Sequence, residues 1–251
     1  YDYTTARLVD ESGIDSILVG DSLGNVILGL GDTVSVTMED MIHHGAAVAR
    51  GAKNALVVVD MPFMSYQSSV YDAVVNAGRL MKEARTNAVK LEGGVEVADR
   101  IRAIVDCQIP VCAHIGLTPQ GINALGGFKV QGKTADSARK LLEDAHAVEE
   151  AGAFAVVLEA IPAELAARVS EELTIPTIGI GAGAGCDGQV LVNQDMLGMF
   201  HDFTPKFVRR FAEVGDVMLD AYRAYDAAVK DGTFPAAEHT YAAPAGVLEN
   251  L

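Results

Sequence analysis

The chain has 251 residues, half of them hydrophobic, and a formal net charge of −15 at pH 7. That length suits one large domain or two small ones with a substantial core. No apolar run reaches the roughly 18 residues needed to span a membrane, and Lys and Arg neither outnumber the acids nor cluster, which argues against nucleic-acid binding.

Cys107, Cys112 and Cys186 stand at neither zinc-ligand nor C-x-x-C spacing, as expected of reduced thiols in a cytoplasmic protein. The chain opens at Tyr1 without an initiator Met, so residues are expected to precede it. From there one unit recurs: a helical segment ends near Gly or Pro, a short β-branched run follows, and a polar residue closes it. The runs are Ile17–Asp21, Leu56–Asp60, Val89–Glu92, Val111–His114, Val156–Glu159 and Thr177–Gly181, with a weaker one at Gln189–Val192. Thr37 and Ser69, each followed three residues later by Asp, predict helix starts. Thr134 opens a helix with apolar Leu141, Leu142, Ala145 and Val148, which stops at Gly152. Thr204-Pro205 predicts the start of another, with Phe207, Phe211, Val214, Met218 and Tyr222 on one face, running to about Gly232. An irregular tail is expected from about 233 to the end.

Strands that alternate with helices and are almost continuously apolar imply a parallel sheet buried on both faces. Seven of them without a composition break predict a single domain over 1–251, a closed (β/α)8 TIM barrel whose first strand lies upstream of Tyr1. In such barrels the active site is built at the C-terminal ends of the strands. Asp21, Asp60, Glu92, His114 and Glu159 all fall there.

The stretch Asn87-Ala-Val-Lys-Leu-Glu-Gly-Gly94 is the most informative. On a strand, residues two apart share a face, so Lys90 and Glu92 point together and Leu91 points away. Two charges on a strand built for burial are costly unless paired. They are either a structural pair at a strand end or part of a site. Asp21, Asp60 and Glu92 on one rim would repel one another unless protons or a hard cation such as Mg²⁺ intervened; the alternative is that each caps a following helix. His114 is either a site residue or a satisfied core histidine, and the Ser22 hydroxyl either meets a ligand or stabilises its loop. Two glycine patterns have nucleotide-binding form. Gly127–Thr134 fits G-x-x-x-x-G-K-[ST] but lacks a strand before it, and Gly183–Gly188 fits G-x-G-x-x-G but is followed by a strand; neither is expected to bind a nucleotide.

Tyr1-Asp-Tyr3, Leu18-Val-Gly-Asp-Ser-Leu-Gly24, Asp60-Met-Pro-Phe63, Lys90-Leu-Glu-Gly-Gly94, His114-Ile-Gly-Leu-Thr-Pro-Gln120, Gly126-Gly-Phe-Lys-Val-Gln-Gly132 and Ile178-Gly-Ile-Gly-Ala-Gly183 closely resemble the ketopantoate hydroxymethyltransferase family, from Tyr1 to about His239. The resemblance implies a Mg²⁺-dependent (β/α)8 enzyme of pantothenate biosynthesis, assembled as a homo-oligomer, often a decamer. It would move a one-carbon unit from 5,10-methylenetetrahydrofolate to 3-methyl-2-oxobutanoate through a Mg-stabilised enolate, giving 2-dehydropantoate. By motif, Asp21, Asp60 and Glu92 match the metal ligands. Asp21, Ser22, Asp60 and Lys90 match the keto-acid contacts, with His114 beside them, and Glu159 matches the proton acceptor. Around Arg85-Thr-Asn87 this chain is slightly longer than the family pattern. Two other readings stay open: a Schiff-base aldolase with Lys90 as nucleophile, and a non-catalytic scaffold.

Overall fold

The computed structural model describes residues 1–248, in two compact units, Tyr1–Leu191 and Val192–Leu251. In the first, the β-branched runs form seven strands: β1 (Ser16–Val19), β2 (Leu56–Asp60), β3 (Ala88–Glu92), β4 (Val111–Gly116), β5 (Ala155–Glu159), β6 (Thr177–Ile180) and β7 (Gly188–Gln189). They pair in parallel and in sequence order. Between them run α1 (Tyr3–Glu11), α2 (Leu23–Val26), α3 (Met38–Gly51), α4 (Val70–Arg79), α5 (Ala98–Asp106), α6 (Ile122–Leu125), α7 (Ala135–Glu150) and α8 (Ala163–Glu172). Three of the four expected helix starts hold: Thr37 and Asp40 make a reciprocal capping box for α3, Ser69 accepts from the Asp72 N–H at the start of α4, and Thr134 caps α7 with Ser137.

Alternation along the strands separates two buried layers. Val57, Val59, Val89, Leu91, Ala113, Val156 and Leu158 pack with helix residues such as Val48, Ala77, Ile101 and Val148. Val58, Ala88, Cys112, Ala155 and Val157 pack instead with Leu18, Phe154, Ile178 and Ile180. This second layer contains strand residues and the residue preceding β5, and no helix, so the sheet curls over its own side chains. Asp60, Lys90, His114 and Glu159 each stand two residues beyond a member of that inner layer. They continue its face at the C-terminal rim.

The closed barrel is not formed. β1 and β7 are the two edges of an open sheet, and among the described residues no eighth strand joins them. The reason lies at β7. Only Gly188 and Gln189 pair with β6, opposite Ile178 and Gly179, so the expected run to Val192 leaves the sheet after two residues. So short an edge offers too few ladder bonds to continue the pairing. The unit is a curled half-barrel.

The Arg85-Thr-Asn87 stretch lies between α4 and β3. A π-helical turn, Leu80–Ala84, follows α4, and Arg85 takes a left-handed conformation with φ of 57°. A π turn takes up one more residue than an α turn. The β3 register is then fixed by Asn87 Oδ1, which accepts from the Val57 N–H at 2.9 Å.

In the second unit α9 (Asn193–Met196) and α10 (Val214–Asp231) are connected by irregular chain. The helix expected from Thr204-Pro205 begins only at Val214, so Phe207 and Phe211 lie outside it. The intervening N–H groups are used elsewhere: Phe211 donates to the Met196 carbonyl and Val214 to that of Leu197. Gly232, with φ of 77°, ends α10 as expected. The tail is irregular apart from a 3-10 turn at Ala237–His239, and its last positions, 249–251, lie outside the described residues.

Candidate active site

Five strand ends deliver polar groups to one buried cluster. Asp60 closes β2 and Lys90 lies directly beside it on β3, in register. Lys90 Nζ forms an ion pair with Asp60 Oδ1 at 2.9 Å, both side chains being almost fully buried. Asp60 Oδ2 accepts from the backbone N–H of Asp21, just past β1, at 3.1 Å. The close approach depends on Gly20, where a Cβ would stand 2.9 Å from Ser22 Oγ and 3.4 Å from Asp60 Oδ2. On the other side, Glu92 pairs with His114 of β4 in register, its Oε1 3.7 Å from His114 Nδ1. The opposite ring nitrogen, Nε2, is 3.2 Å from Glu159 Oε2 at the end of β5.

The electrostatics follow from burial. Four carboxylates share this rim with one ammonium. Burial raises the Asp21 pKa to about 7, with repulsion from Asp60 adding to it. Glu92 is pushed well above the usual carboxylate range, again chiefly by burial. Burial would lower the Lys90 pKa, but the carboxylates of Asp60, Glu92 and Asp21 outweigh it and hold the amine protonated above its ordinary value. His114 is lowered by burial and by the Lys90 charge, so it is neutral. Lys90 Nζ can only donate, and it stands 3.1 Å from His114 Nδ1. That nitrogen therefore accepts, and the ring proton sits on Nε2, which is 3.2 Å from Glu159 Oε2 but makes no hydrogen bond to it. Glu159 is the most open of the acids, its side chain 15% exposed.

The structure thus gathers Asp21, Asp60, Lys90, Glu92, His114 and Glu159, as the strand-end pattern suggested. Ser22, the residue after Asp21 and before α2, has its Oγ 2.7 Å from the Tyr1 hydroxyl. Two residues were not found from sequence. Gln120, in the loop after β4, donates from Nε2 to Asp21 Oδ2 at 2.8 Å, and its backbone N–H donates to Glu92 Oε2 at 3.0 Å. Tyr66, in the loop after β2, donates to Gln120 Oε1 at 2.6 Å. Gln120 sits in a single 3-10 turn, Pro119–Gly121, and Tyr66 in an irregular loop, with no periodicity to mark either; the available signal was the polar side chain of Thr118-Pro-Gln120. Of the two glycine patterns, Gly127–Thr134 follows the short helix α6, and Gly183–Gly188 leads into β7.

Comparison with known proteins is consistent across the chain. The family model described as ketopantoate hydroxymethyltransferase matches residues 1–237. The 3-methyl-2-oxobutanoate hydroxymethyltransferase of Clostridium novyi is 66% identical over 251 residues, covering 100% of this chain and 91% of that protein. That of Enterococcus faecalis is 65% identical over the same coverage. Among solved structures, phosphonopyruvate hydrolase superposes with a TM-score of 0.60 at 12% identity, over 99% of this chain and 86% of its own. 2,3-Dimethylmalate lyase, a PEP mutase/isocitrate lyase superfamily member, gives 0.57 at 18% identity, over 96% and 83%. These likenesses concern the fold alone, and they agree with the open sheet in replacing the closed barrel by that superfamily's architecture. The match in sequence goes further: the chain belongs to the ketopantoate hydroxymethyltransferase family, enzymes of pantothenate biosynthesis that transfer a hydroxymethyl group to 3-methyl-2-oxobutanoate.

Proposed function

We propose that the rim cluster carries out this transfer, with 5,10-methylenetetrahydrofolate as donor and 2-dehydropantoate as product, and that each polar residue has a separate task. The observation that carries the reading is the convergence of Asp21, Asp60, Lys90, His114 and Glu159 on one buried surface.

A divalent cation suits these residues. Asp21 and Asp60 are adjacent buried carboxylates, and their repulsion is part of what raises the Asp21 pKa. Apart from its ion pair with Lys90, Asp60 Oδ1 takes no hydrogen bond. Hard cations such as Mg²⁺ favour such oxygen donors, usually one or two carboxylates plus substrate oxygens. Asp21 and Asp60 would hold the ion directly. Glu92, one oxygen on the Gln120 N–H and the other toward His114, would support it from behind. When bound, the cation draws electron density from the 2-oxo group and makes the C3 proton removable.

Lys90 is held as an ammonium and sets a fixed positive charge beside the substrate oxygens, in a site where water exclusion strengthens it. Ser22 offers a hydroxyl to the carboxylate. Glu159 accepts the proton from C3, with the neutral His114 ring beside it, Nε2 3.2 Å from Oε2. C3, freed of its proton, then forms the new C–C bond to the methylene carbon of the folate, whose two C–N bonds are broken as tetrahydrofolate leaves and one water supplies the product hydroxyl. The Schiff-base alternative is disfavoured by the same geometry, because a nucleophilic lysine must lose its proton and Asp60 at 2.9 Å opposes that loss. A homo-oligomer, as the resemblance implies, in the cytoplasm, as the sparse cysteines suggest, completes the reading. The decisive assay is 2-dehydropantoate formation with Mg²⁺ and after treatment with EDTA. Product only with the metal is expected, and equal turnover in EDTA would overturn the cation's role.

A further inference from the structure

Gln120 lies in the 3-10 turn Pro119–Gly121, is only 4% exposed, and has every hydrogen-bonding position of its amide in use. Nε2 donates to Asp21 Oδ2 at 2.8 Å and to the Met61 carbonyl at 2.9 Å. Oε1 accepts from the Tyr66 hydroxyl at 2.6 Å and from Gln67 Nε2 at 3.1 Å. Turning the amide over would set its oxygen against the Met61 carbonyl and the Asp21 carboxylate, so the orientation is specified from the Nε2 side. Tyr66, 1% exposed, is fixed in turn. Its hydroxyl accepts from the Glu92 N–H at 3.1 Å, and its own proton faces Gln120 Oε1 at 2.6 Å in preference to the Glu92 carbonyl at 3.2 Å. The result is a directional chain from the β3 backbone through Tyr66 and Gln120 to Asp21, in which each bond polarises the next.

We propose that Gln120, oriented by Tyr66, is a positioning residue that fixes the Asp21 carboxylate for cation binding. The inference rests on the reading of Asp21 as a cation ligand. Gln120 occupies Oδ2 and leaves the second oxygen of Asp21 for a ligand. An amide suits this task where an ammonium would not. It holds the rotamer of Asp21 without cancelling the charge on which a cation depends, as partners of metal-ligating carboxylates generally do.

The test is calorimetric titration of Mg²⁺ into metal-stripped protein without keto acid, on wild type, Gln120→Met and Tyr66→Phe. Gln120→Met keeps volume and removes the donor, so its Mg²⁺ dissociation constant should rise by about 10–100-fold. Tyr66→Phe keeps the amide but removes a donor to its Oε1, and should move affinity the same way by less. At saturating Mg²⁺ both variants should recover deuterium exchange at substrate C3 close to the wild-type rate, because Glu159 is untouched; a merely structural role would not give this split. Unchanged Mg²⁺ affinity in Gln120→Met overturns the proposal alone. Should that variant fail to fold, unchanged affinity in Tyr66→Phe does so. Absence of Mg²⁺ binding by the wild type overturns it together with the site reading.

Discussion

Lys90 is the residue on which the cluster's charge balance turns. It is 2% exposed among Asp21, Asp60, Glu92 and Glu159, and removing one partner of a buried ion pair leaves the other uncompensated. Lys90→Met should therefore cost about 3–5 kcal/mol in urea unfolding, beyond any loss of activity. A smaller cost would mean that the buried pair contributes less to the fold than its burial implies. Glu159 behaves differently because it is partly open and its role is chemical. Glu159→Gln keeps size and hydrogen bonding but cannot accept a proton. In D₂O with Mg²⁺ it should slow exchange at C3 of 3-methyl-2-oxobutanoate by on the order of 10²–10⁴-fold, with keto-acid affinity little changed. Wild-type exchange would hand the proton to another group, His114 being next in line at 3.2 Å. At this scale the sequence was informative where period and position coincide. Two-residue spacing alone placed Lys90 and Glu92 on one face, and strand ends located Asp60, His114 and Glu159. Gln120 and Tyr66 escaped because they reach Asp21 through loop paths that no periodicity encodes.

Strand ends are held by contacts of a different kind. Gly116 closes β4 with φ of 94°, and a Cβ there would stand 2.4 Å from the Glu159 carbonyl oxygen. Gly116→Ala should cost on the order of 2–4 kcal/mol from left-handed strain plus overpacking, and should lower C3 exchange by displacing the end of β5. A stable variant with full exchange would show that the rim tolerates the shift. At the opposite end, α1 is tied to the approach to β2. Asp10 accepts from the backbone N–H groups of Asn54 and Ala55, each at 2.8 Å, and from Asn54 Nδ2 at 3.1 Å. These bonds, that of Ala55 foremost, hold its pKa below the ordinary 3.8. A depressed folded pKa contributes stability above the unfolded value that is lost as pH falls through the folded one. The urea midpoint of wild type should exceed that of Asp10→Asn at neutral pH, and the gap should close below about pH 3.8. A gap that persists in acid would rule out the charge as its source. The strands themselves were legible as β-branched runs, and α3, α4 and α7 from their capping residues. The start of α10 was not, because long-range bonds from Phe211 and Val214 override the Thr204-Pro205 signal.

For the whole molecule, alternation of strands and helices fixed a parallel α/β architecture, whereas closure of the sheet was not readable. Local pattern says what each segment becomes; closure depends on whether the edges find partners, and here β7 pairs at only two positions. Net charge is a property that sequence does give directly, and it makes a prediction about substrate encounter. At −15 the protein repels an anionic 2-oxo acid at long range, while Lys90 and a bound cation attract it at contact. These two fields differ in how salt reaches them. The Debye length falls from about 30 Å at 0.01 M to about 8 Å at 0.15 M ionic strength, so added KCl removes the distant repulsion and leaves the buried contacts nearly intact. At saturating Mg²⁺, KM for the keto acid should therefore fall a few-fold over that range, with kcat unchanged. Mg²⁺ affinity should move the opposite way, because the same negative field attracts the cation and salt screens that attraction as well. A KM that rises with salt would show that the local positive field at Lys90 extends beyond the rim and governs encounter, against the charge of the protein as a whole.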